Sequence, residues 1–183
     1  KPYLNDSNVM VRSQVLRTLE EIQTANNDTI ALLVQACKSA APDNTFGGNY
    51  ERNFERFLAR KALESYQTEL KAYLATPAGI KQPAENILWA IQALSGKDRT
   101  QVFVKIWSSA STGEIDKDTF SAVTKMLRNP LVLEVVAPTF KSRSKEMLEL
   151  SIANSSTING PLVAQFYTDK IEAGLKSSDK AIV

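Results

Sequence analysis

The chain has 183 residues, of which 43% are hydrophobic and 23% are charged, as in a typical folded globular protein. Its 22 basic and 20 acidic residues are well mixed and give a net charge of +2, which argues against a nucleic-acid partner. No apolar run reaches the roughly 20 residues that are needed to cross a bilayer, so we expect no membrane insertion. The length suffices for one sizeable core or for an array of small repeated units.

Two absences limit the chemistry of the chain. There is no histidine, which removes the commonest general base and the commonest metal ligand. The single cysteine, Cys37, excludes an internal disulfide, a thiolate zinc site and a c-type haem attachment motif. Cys37 ends the apolar run IALLVQAC, which favours a buried hydrophobic role over a catalytic thiol. We therefore expect no cofactor, no metal and no catalytic residue in this segment.

The first two predicted helices follow directly from hydrophobic periodicity. The segment NDSN precedes the first helix and supplies capping side chains for its exposed amide groups. The segment NND at 26–28 ends that helix and caps the second. The residues that these two helices are predicted to bury are Val15, Leu16, Leu19, Ile22, Ile30, Leu33, Val34 and Cys37.

A loop follows, in which Pro42, Gly47 and Gly48 are expected to exclude regular structure. A strongly charged helix is then predicted from about residue 51 to residue 66. The residues that it is predicted to bury are Phe54, Phe57, Leu58, Ala62 and Leu63.

The second half of the chain continues the helical pattern. A short helix is predicted around TELKAYLA, followed by a break at TPAGIKQP and by the helix PAENILWAIQAL, which Pro83 opens and Gly96 ends. The remaining predicted helices are DRTQVFVKIWSSA, EIDKDTFSAVTKMLRN, PLVLEVVA with an end or kink at Pro138, SRSKEMLELSIA and PLVAQFYTDKIEAGL. The runs VFVKIW and LVLEVV favour strands locally, but their helical neighbours and the lack of hairpin turns favour helices. The sequence thus predicts an all-α protein of about nine or ten short helices.

A modest internal repeat relates the first helix to the charged helix at a constant offset of 44 residues. This offset lies within the roughly 40–47-residue period of HEAT and armadillo units. The run ILWAIQALSG resembles the same helix face, but at a shorter spacing. The matched pairs are Arg12 with Arg56, Arg17 with Lys61, Leu19 with Leu63 and Glu20 with Glu64.

The segment LNDSNVMVRSQVLRTLEEI resembles the turn and second helix of a HEAT repeat. In that family a leucine ends the first helix, an aspartate follows in the turn, and a Val-Arg pair opens the second helix. Leu4, Asp6, Val11 and Arg12 stand at these positions. The resemblance implies a right-handed α-α superhelix in which Asp6 and Arg12 form hydrogen bonds between neighbouring repeats. The second unit, NFERFLARKALESY, keeps the arginine as Arg56 but lacks the preceding valine and a clear turn aspartate.

The resemblance predicts a single helical-repeat domain over residues 1–183. The first unit would then begin with a second helix, whose apolar stripe needs a first helix before Lys1. We therefore interpret the chain as a fragment of a longer protein. The repeat units are predicted at roughly 1–38, 50–76, 83–110, 114–140 and 143–183.

A second resemblance concerns the larger parent protein. The segments NYERNFERFLARKALESY and ENILWAIQALSGKDRTQVFVKIW are similar to the helical region of certain exported bacterial proteins. Those proteins join a sugar-dehydrogenase-like propeller, a HEAT-type array and a c-type haem domain. The resemblance implies a periplasmic location, with any redox chemistry in other domains because this segment has no haem ligands.

Arg52, Arg56 and Arg60 lie four residues apart, where like charges repel by a few tenths of a kcal/mol. They could form a site for an acidic partner, but neutralisation by nearby glutamates such as Glu51, Glu55, Glu64, Glu20 and Glu21 is favoured. In TFGGNYERNF, aromatic residues could either contact a partner or anchor a connector. The predicted partner surface is therefore Phe46, Tyr50, Arg52, Arg56 and Arg60.

These observations predict a non-catalytic helical-repeat scaffold that binds another protein or another domain of its own chain. The alternative is an accessory helical domain of an exported bacterial oxidoreductase. Trp89 and Trp107 are expected to fill space between helices, with each indole N–H donating to a carbonyl oxygen.

Overall fold

The computed structural model describes residues 2–38, 48–110, 115, 117–156 and 159–168. Within this part of the chain, every regular element is an α-helix or a short 3-10 helix, and there is no strand. The prediction of an all-α protein is therefore confirmed. None of the described helices is both long enough and apolar enough to span a membrane.

The described residues form eleven α-helices, joined by short turns and by 3-10 helices at Pro2–Asn5, Ile91–Ala93 and Gln165–Tyr167. The two β-rich runs of the sequence lie inside α7 and α9, as their helical neighbours predicted. The α-helices are α1 Val9–Glu20, α2 Asn27–Ala36, α3 Gly48–Glu64, α4 Gln67–Leu74, α5 Pro77–Ile80, α6 Ala84–Ala90, α7 Gly96–Ala110, α8 Lys117–Met126, α9 Pro130–Ser142, α10 Ser144–Ala153 and α11 Gly160–Ala164.

Polar side chains set where the helices begin. The Asn8 side chain accepts a hydrogen bond from the Met10 N–H at the start of α1, and Asn26 accepts one from the Thr29 N–H at the start of α2. Each bond satisfies an amide that has no partner within its own helix. The caps predicted from NDSN and NND are thus confirmed. Thr76, Asn129 and Asn159 cap α5, α9 and α11 in the same way.

Several predicted boundaries are wrong. Gly48 begins α3 with a φ of 81°, a left-handed conformation that glycine adopts without strain. Gly96 begins α7 instead of ending the preceding helix, which already tightens into a 3-10 turn at Ile91–Ala93. Pro138 lies inside α9 and does not end it, since the helix continues to Ser142. The predicted break at TPAGIKQP contains the single turn α5.

The chain divides into two compact units, Lys1–Asp116 and Lys117–Val183. In the first unit α1 packs along α3, α2 packs against α3 and α4, and α6 packs against α2, α3 and α7. The prediction of a single repeat domain stays a prediction. Fully buried core residues of the first unit include Ile30, Leu33, Val34, Cys37, Ala59, Ala62, Leu63, Leu70, Ala90 and Phe103.

The core of the second unit is an aromatic cluster around Phe140, which is 1% exposed. The Phe140 ring stacks on Phe166 with 4.2 Å between the ring centroids, and lies 5.9 Å from Phe120 and 6.2 Å from Tyr167. Such offset and tilted pairs add to the stabilisation that burial alone provides. Val132, Val136 and Met147 complete the cluster of buried apolar residues contributed by α9 and α10.

The hydroxyl of Tyr66, just after α3, lies 2.9, 2.8 and 2.6 Å from the carbonyl oxygens of Leu19, Glu20 and Ile22. These carbonyls belong to the last turn of α1 and the residues after it, so Tyr66 fixes the end of α1 to α3. We expect Tyr66→Phe to lower the free energy of unfolding by about 1–3 kcal/mol, since it removes the donor from a buried set of acceptors. Urea denaturation at pH 7 measures this loss.

The same tyrosine gives an expected pH dependence. Burial, with smaller effects from Glu20 and Glu69, raises the pKa of Tyr66 above its usual value of 10.0. The folded chain therefore holds this proton more tightly than the unfolded chain, and the stabilisation is lost as pH rises above 10. Tyr66→Phe should show a smaller loss of stability between pH 9 and pH 11, whereas Tyr3→Phe at an exposed site should match the wild type. Equal pH dependence in all three proteins would contradict this role.

Candidate functional site

A buried cluster of charges joins α1 to α3. The Arg12 Nε donates to Glu55 Oε1 at 2.6 Å, and the Arg52 Nη1 donates to Glu55 Oε2 at 2.8 Å. All three side chains are buried. Glu55 is the centre of this cluster, because it accepts a hydrogen bond from each arginine. Charged groups are stable in the interior only when they are paired and hydrogen-bonded in this way.

Asp6 and Arg12 lie together, but through the backbone of Asp6. The Arg12 Nη1 donates to the carbonyl oxygens of Asp6 and Ser7 at 2.6 and 3.2 Å. The Asp6 carboxylate accepts from the Asn8 N–H at 2.8 Å and so closes its own turn. Arg12 therefore reaches α3, 43 residues away at Glu55, while the hydrogen bond of the Asp6 carboxylate stays within the turn. The inter-repeat role of the pair stays a prediction.

Arg56 lies in the interior against α6. Its guanidinium carbon is 3.9 Å from the centroid of the Trp89 ring, which is the geometry of a cation–π contact. The Trp89 Nε1 donates to the carbonyl oxygen of Arg56 at 3.0 Å. The expectation that this indole N–H donates to a carbonyl oxygen is therefore confirmed. Arg56 is 1% exposed, so it contributes to packing between α3 and α6.

The outer part of α3 faces solvent. Arg60 donates to Glu64 at 2.5 Å on the helix surface, and its guanidinium carbon lies 5.6 Å from the Phe57 ring centroid. Tyr50 is 79% exposed and Phe57 is 43% exposed. The predicted burial of Phe57 is wrong, because the buried stripe of α3 lies on the other side of the helix, and Phe54 is only half-buried.

The predicted partner surface is thus not one surface. A step of four residues rotates about 40° around an α-helix, so Arg60 lies about 80° around the helix from Arg52. Arg52 and Arg56 are buried, whereas Arg60 and Tyr50 are accessible. Phe46 lies outside the described residues. The favoured interpretation, in which glutamates neutralise the arginines, agrees with the Glu55 and Glu64 contacts.

A cavity of about 350 Å³ borders the buried cluster, between the end of α2 and the starts of α3 and α6. Burial, followed by the positive charge of Arg52, lowers the pKa of Lys38 at its edge. Burial likewise lowers the pKa of Arg52. The residues that line the cavity are Leu4, Asn5, Arg12, Leu16, Gln35, Ala36, Lys38, Arg52, Glu55, Gln82, Pro83, Glu85 and Asn86.

Cys37 is fully buried, as the sequence predicted. Burial raises the pKa of its thiol to about 12, against the opposing effects of Arg56 and Arg60. A thiol with this pKa is protonated at neutral pH and is therefore a poor nucleophile.

An open, largely apolar surface of the first unit lies on α1. Leu16 and Leu19 of the predicted apolar stripe are buried, but Val15 is only half-buried and Met10 is 72% exposed. We call this surface the open face of α1; it forms a groove of about 520 Å³. Its lining residues are Met10, Val11, Gln14, Val15, Thr18 and Leu19.

Comparison with known proteins adds no relative, since no protein-family model, no curated protein and no solved structure matches this chain. Among the residues that the structure describes, no group of three or more His, Cys, Asp and Glu side chains could hold a metal ion. Function is therefore inferred from the contacts and surfaces of the chain itself.

Proposed function

We propose that this chain is a non-catalytic helical-repeat scaffold of the HEAT/armadillo type, and that it binds another protein through the open face of α1. The observation that carries the proposal is the relation between α1 and α3. At the 44-residue offset of the internal repeat, the residues of the open face correspond to residues that α3 buries against α1.

The covered face of α3 is defined by contacts at both of its ends. Glu55 pairs with Arg12 of α1, and Tyr66 reaches the carbonyl oxygens at the end of α1. Between them, Leu58, Ala59 and Ala62 share this helix face, because residues three and four apart project on the same side. All of these side chains are buried, in keeping with the close packing of α1 along α3.

The corresponding positions on α1 form the open face. Glu55, Leu58, Ala59 and Ala62 correspond at this offset to Val11, Gln14, Val15 and Thr18, all of which line the open groove. A further helix placed on α1 in the way that α1 lies on α3 would continue the existing interface by one layer. Such continued stacking is how helical repeats bury their apolar faces, and it supports a superhelical array as the architecture.

The open face belongs to a helix that is held in place before any partner arrives. Arg12 fixes α1 to Glu55 of α3, Asn8 caps its first turn, and Tyr66 binds its last carbonyls. From Met10 to Leu19 the face runs along about three helical turns. A partner would therefore meet side chains that are already positioned, so binding would cost little conformational entropy in the scaffold.

A selection of displayed amphipathic helices against the chain tests the proposal. Val15→Glu places a charge in the middle of the open face, and we expect it to weaken the selected binders by at least about tenfold, because the charge would have to be buried. Isothermal titration with the selected peptides measures the affinity. Ala72→Glu, at an exposed position of α4, is the matched control and should leave binding unchanged.

Circular dichroism and thermal melts of both variants show that the fold is intact, since Val15 is only half-buried and Ala72 is exposed. The proposal is contradicted if the selection yields no binder, or if Val15→Glu and Ala72→Glu bind the selected helices equally well.

A further inference from the structure

We infer that the helix recognised by the open face of α1 has an uncharged contact stripe, with an aliphatic residue where α1 itself carries Arg12. This inference rests on the proposed function and specifies the chemistry of the partner. It follows from comparing the two faces residue by residue at the same register.

The interface between α1 and α3 has a polar group at each end. At one end the Arg12 guanidinium is buried against the Glu55 carboxylate, with 2.6 Å between Nε and Oε1. At the other end the Tyr66 hydroxyl, with its single hydrogen to donate, lies within hydrogen-bond distance of the carbonyl oxygens of Leu19, Glu20 and Ile22. A helix that docks on α3 therefore needs a cation near Glu55, and α1 supplies it.

The open face of α1 lacks both polar groups. Val11 stands where α3 has Glu55, and Ile22 stands where the tyrosine follows α3. None of the six residues that line the groove is charged, and its two polar residues are Gln14 and Thr18. The Thr18 hydroxyl donates to the Gln14 carbonyl at 3.0 Å, so it is already bonded within α1 and Thr18 offers its methyl group to a partner.

An arginine at the position equivalent to Arg12 would place its guanidinium against Val11. That burial would remove water from a charge without providing a carboxylate in return, which is strongly unfavourable. An aliphatic side chain at the same position would instead bury apolar surface on Val11 and Val15. The face therefore favours a helix with an aliphatic residue at this position over one with an arginine, because it offers the arginine no counter-charge.

Two synthetic peptides test this discrimination against the intact 183-residue chain. One has the sequence of residues 3–22, and the other has the same sequence with Arg12→Leu. Leucine and arginine have nearly equal helix propensities, so the peptides differ in contact chemistry and little in helix formation. Fluorescence anisotropy of the labelled peptides measures their binding.

We expect the Arg12→Leu peptide to bind the wild-type chain at least about tenfold more tightly than the native peptide. The Val11→Glu chain restores the carboxylate of α3 to α1, and it should reverse this preference. The reversal is the decisive readout, because a merely more hydrophobic peptide would bind both chains better.

Each other outcome overturns a defined statement. Equal binding of both peptides to the wild-type chain, if abolished by Val15→Glu, overturns the inference and leaves the proposed function standing. Binding that Val15→Glu does not weaken, or no binding of either peptide at millimolar concentration, overturns the inference and counts against the open face itself. A dimer of the chain in sedimentation experiments that Val15→Glu dissociates identifies a second copy as the occupant and overturns the assignment to a partner helix.

Discussion

Replacing Glu55 with glutamine is expected to lower the free energy of unfolding by about 3–5 kcal/mol, because it removes one member of a buried charge cluster. The carboxylate accepts from Arg12 at one oxygen and from Arg52 at the other. Glutamine has nearly the same shape, but it carries no charge and offers only one acceptor oxygen. Both guanidinium groups thus lose an ionic contact, although Arg12 keeps its bonds to the carbonyls of the preceding turn.

Urea denaturation monitored by circular dichroism measures the effect. Glu64→Gln is the matched control, since Glu64 pairs with Arg60 on the surface of the same helix. Exposed pairs of this kind contribute at most about 1 kcal/mol, so the control should unfold nearly as the wild type does. If Glu55→Gln is as stable as Glu64→Gln, the cluster does not hold α1 on α3, and the rigidity that we assign to the open face has another source.

The helices and their caps could be predicted because they depend on nearby residues. Apolar periodicity predicts helices across VFVKIW and LVLEVV in spite of their β-forming composition, and the structure confirms both. Asn8 and Asn26 lie next to the amides that they cap. Helix boundaries are harder to predict, as at Pro138, where α9 continues to Ser142 and places Phe140 in the core.

The candidate site could be predicted only in part. The spacing of Arg52, Arg56 and Arg60 suggests one face, but their environments depend on partners elsewhere in the chain. Trp89, 33 residues beyond Arg56, contacts that arginine in the core. Nothing in the local pattern around Arg12 identifies Glu55 as its acceptor.

The open face of α1 shows the same limit. Apolar periodicity places Val15 with Leu16 and Leu19 among the predicted buried residues of the first helix. The packing of α3 covers the side with Leu16 and leaves the side with Val11 and Val15 accessible. The internal offset of 44 residues points to this face, because it aligns Val15 with the buried Ala59.

Gly79→Ala is expected to destabilise the chain by about 3 kcal/mol, because the added methyl group has no space. Its Cβ would lie 2.1 Å from the carbonyl oxygen of Tyr73 and 2.8 Å from the Cα of Leu74. Both atoms belong to the backbone of α4, so a side-chain rotation cannot relieve the clash. The single turn α5 would have to move away from α4, and the hydrogen bond from the Gly79 N–H to the Thr76 hydroxyl would be strained.

Gly96→Ala is the control that separates this steric effect from the general effect of replacing glycine. Apart from its chain neighbours and the backbone of its own helix, nothing lies within 4 Å of a Cβ built on Gly96, and this glycine begins α7. Alanine there restricts the unfolded chain and favours the helix, so it should stabilise the protein by up to about 1 kcal/mol. Opposite signs for the two substitutions in thermal and urea unfolding would establish that the contact between α4 and α5 is close-packed. Similar values would show that α5 can shift at little cost, in which case the first unit is less rigid than a stacked scaffold requires.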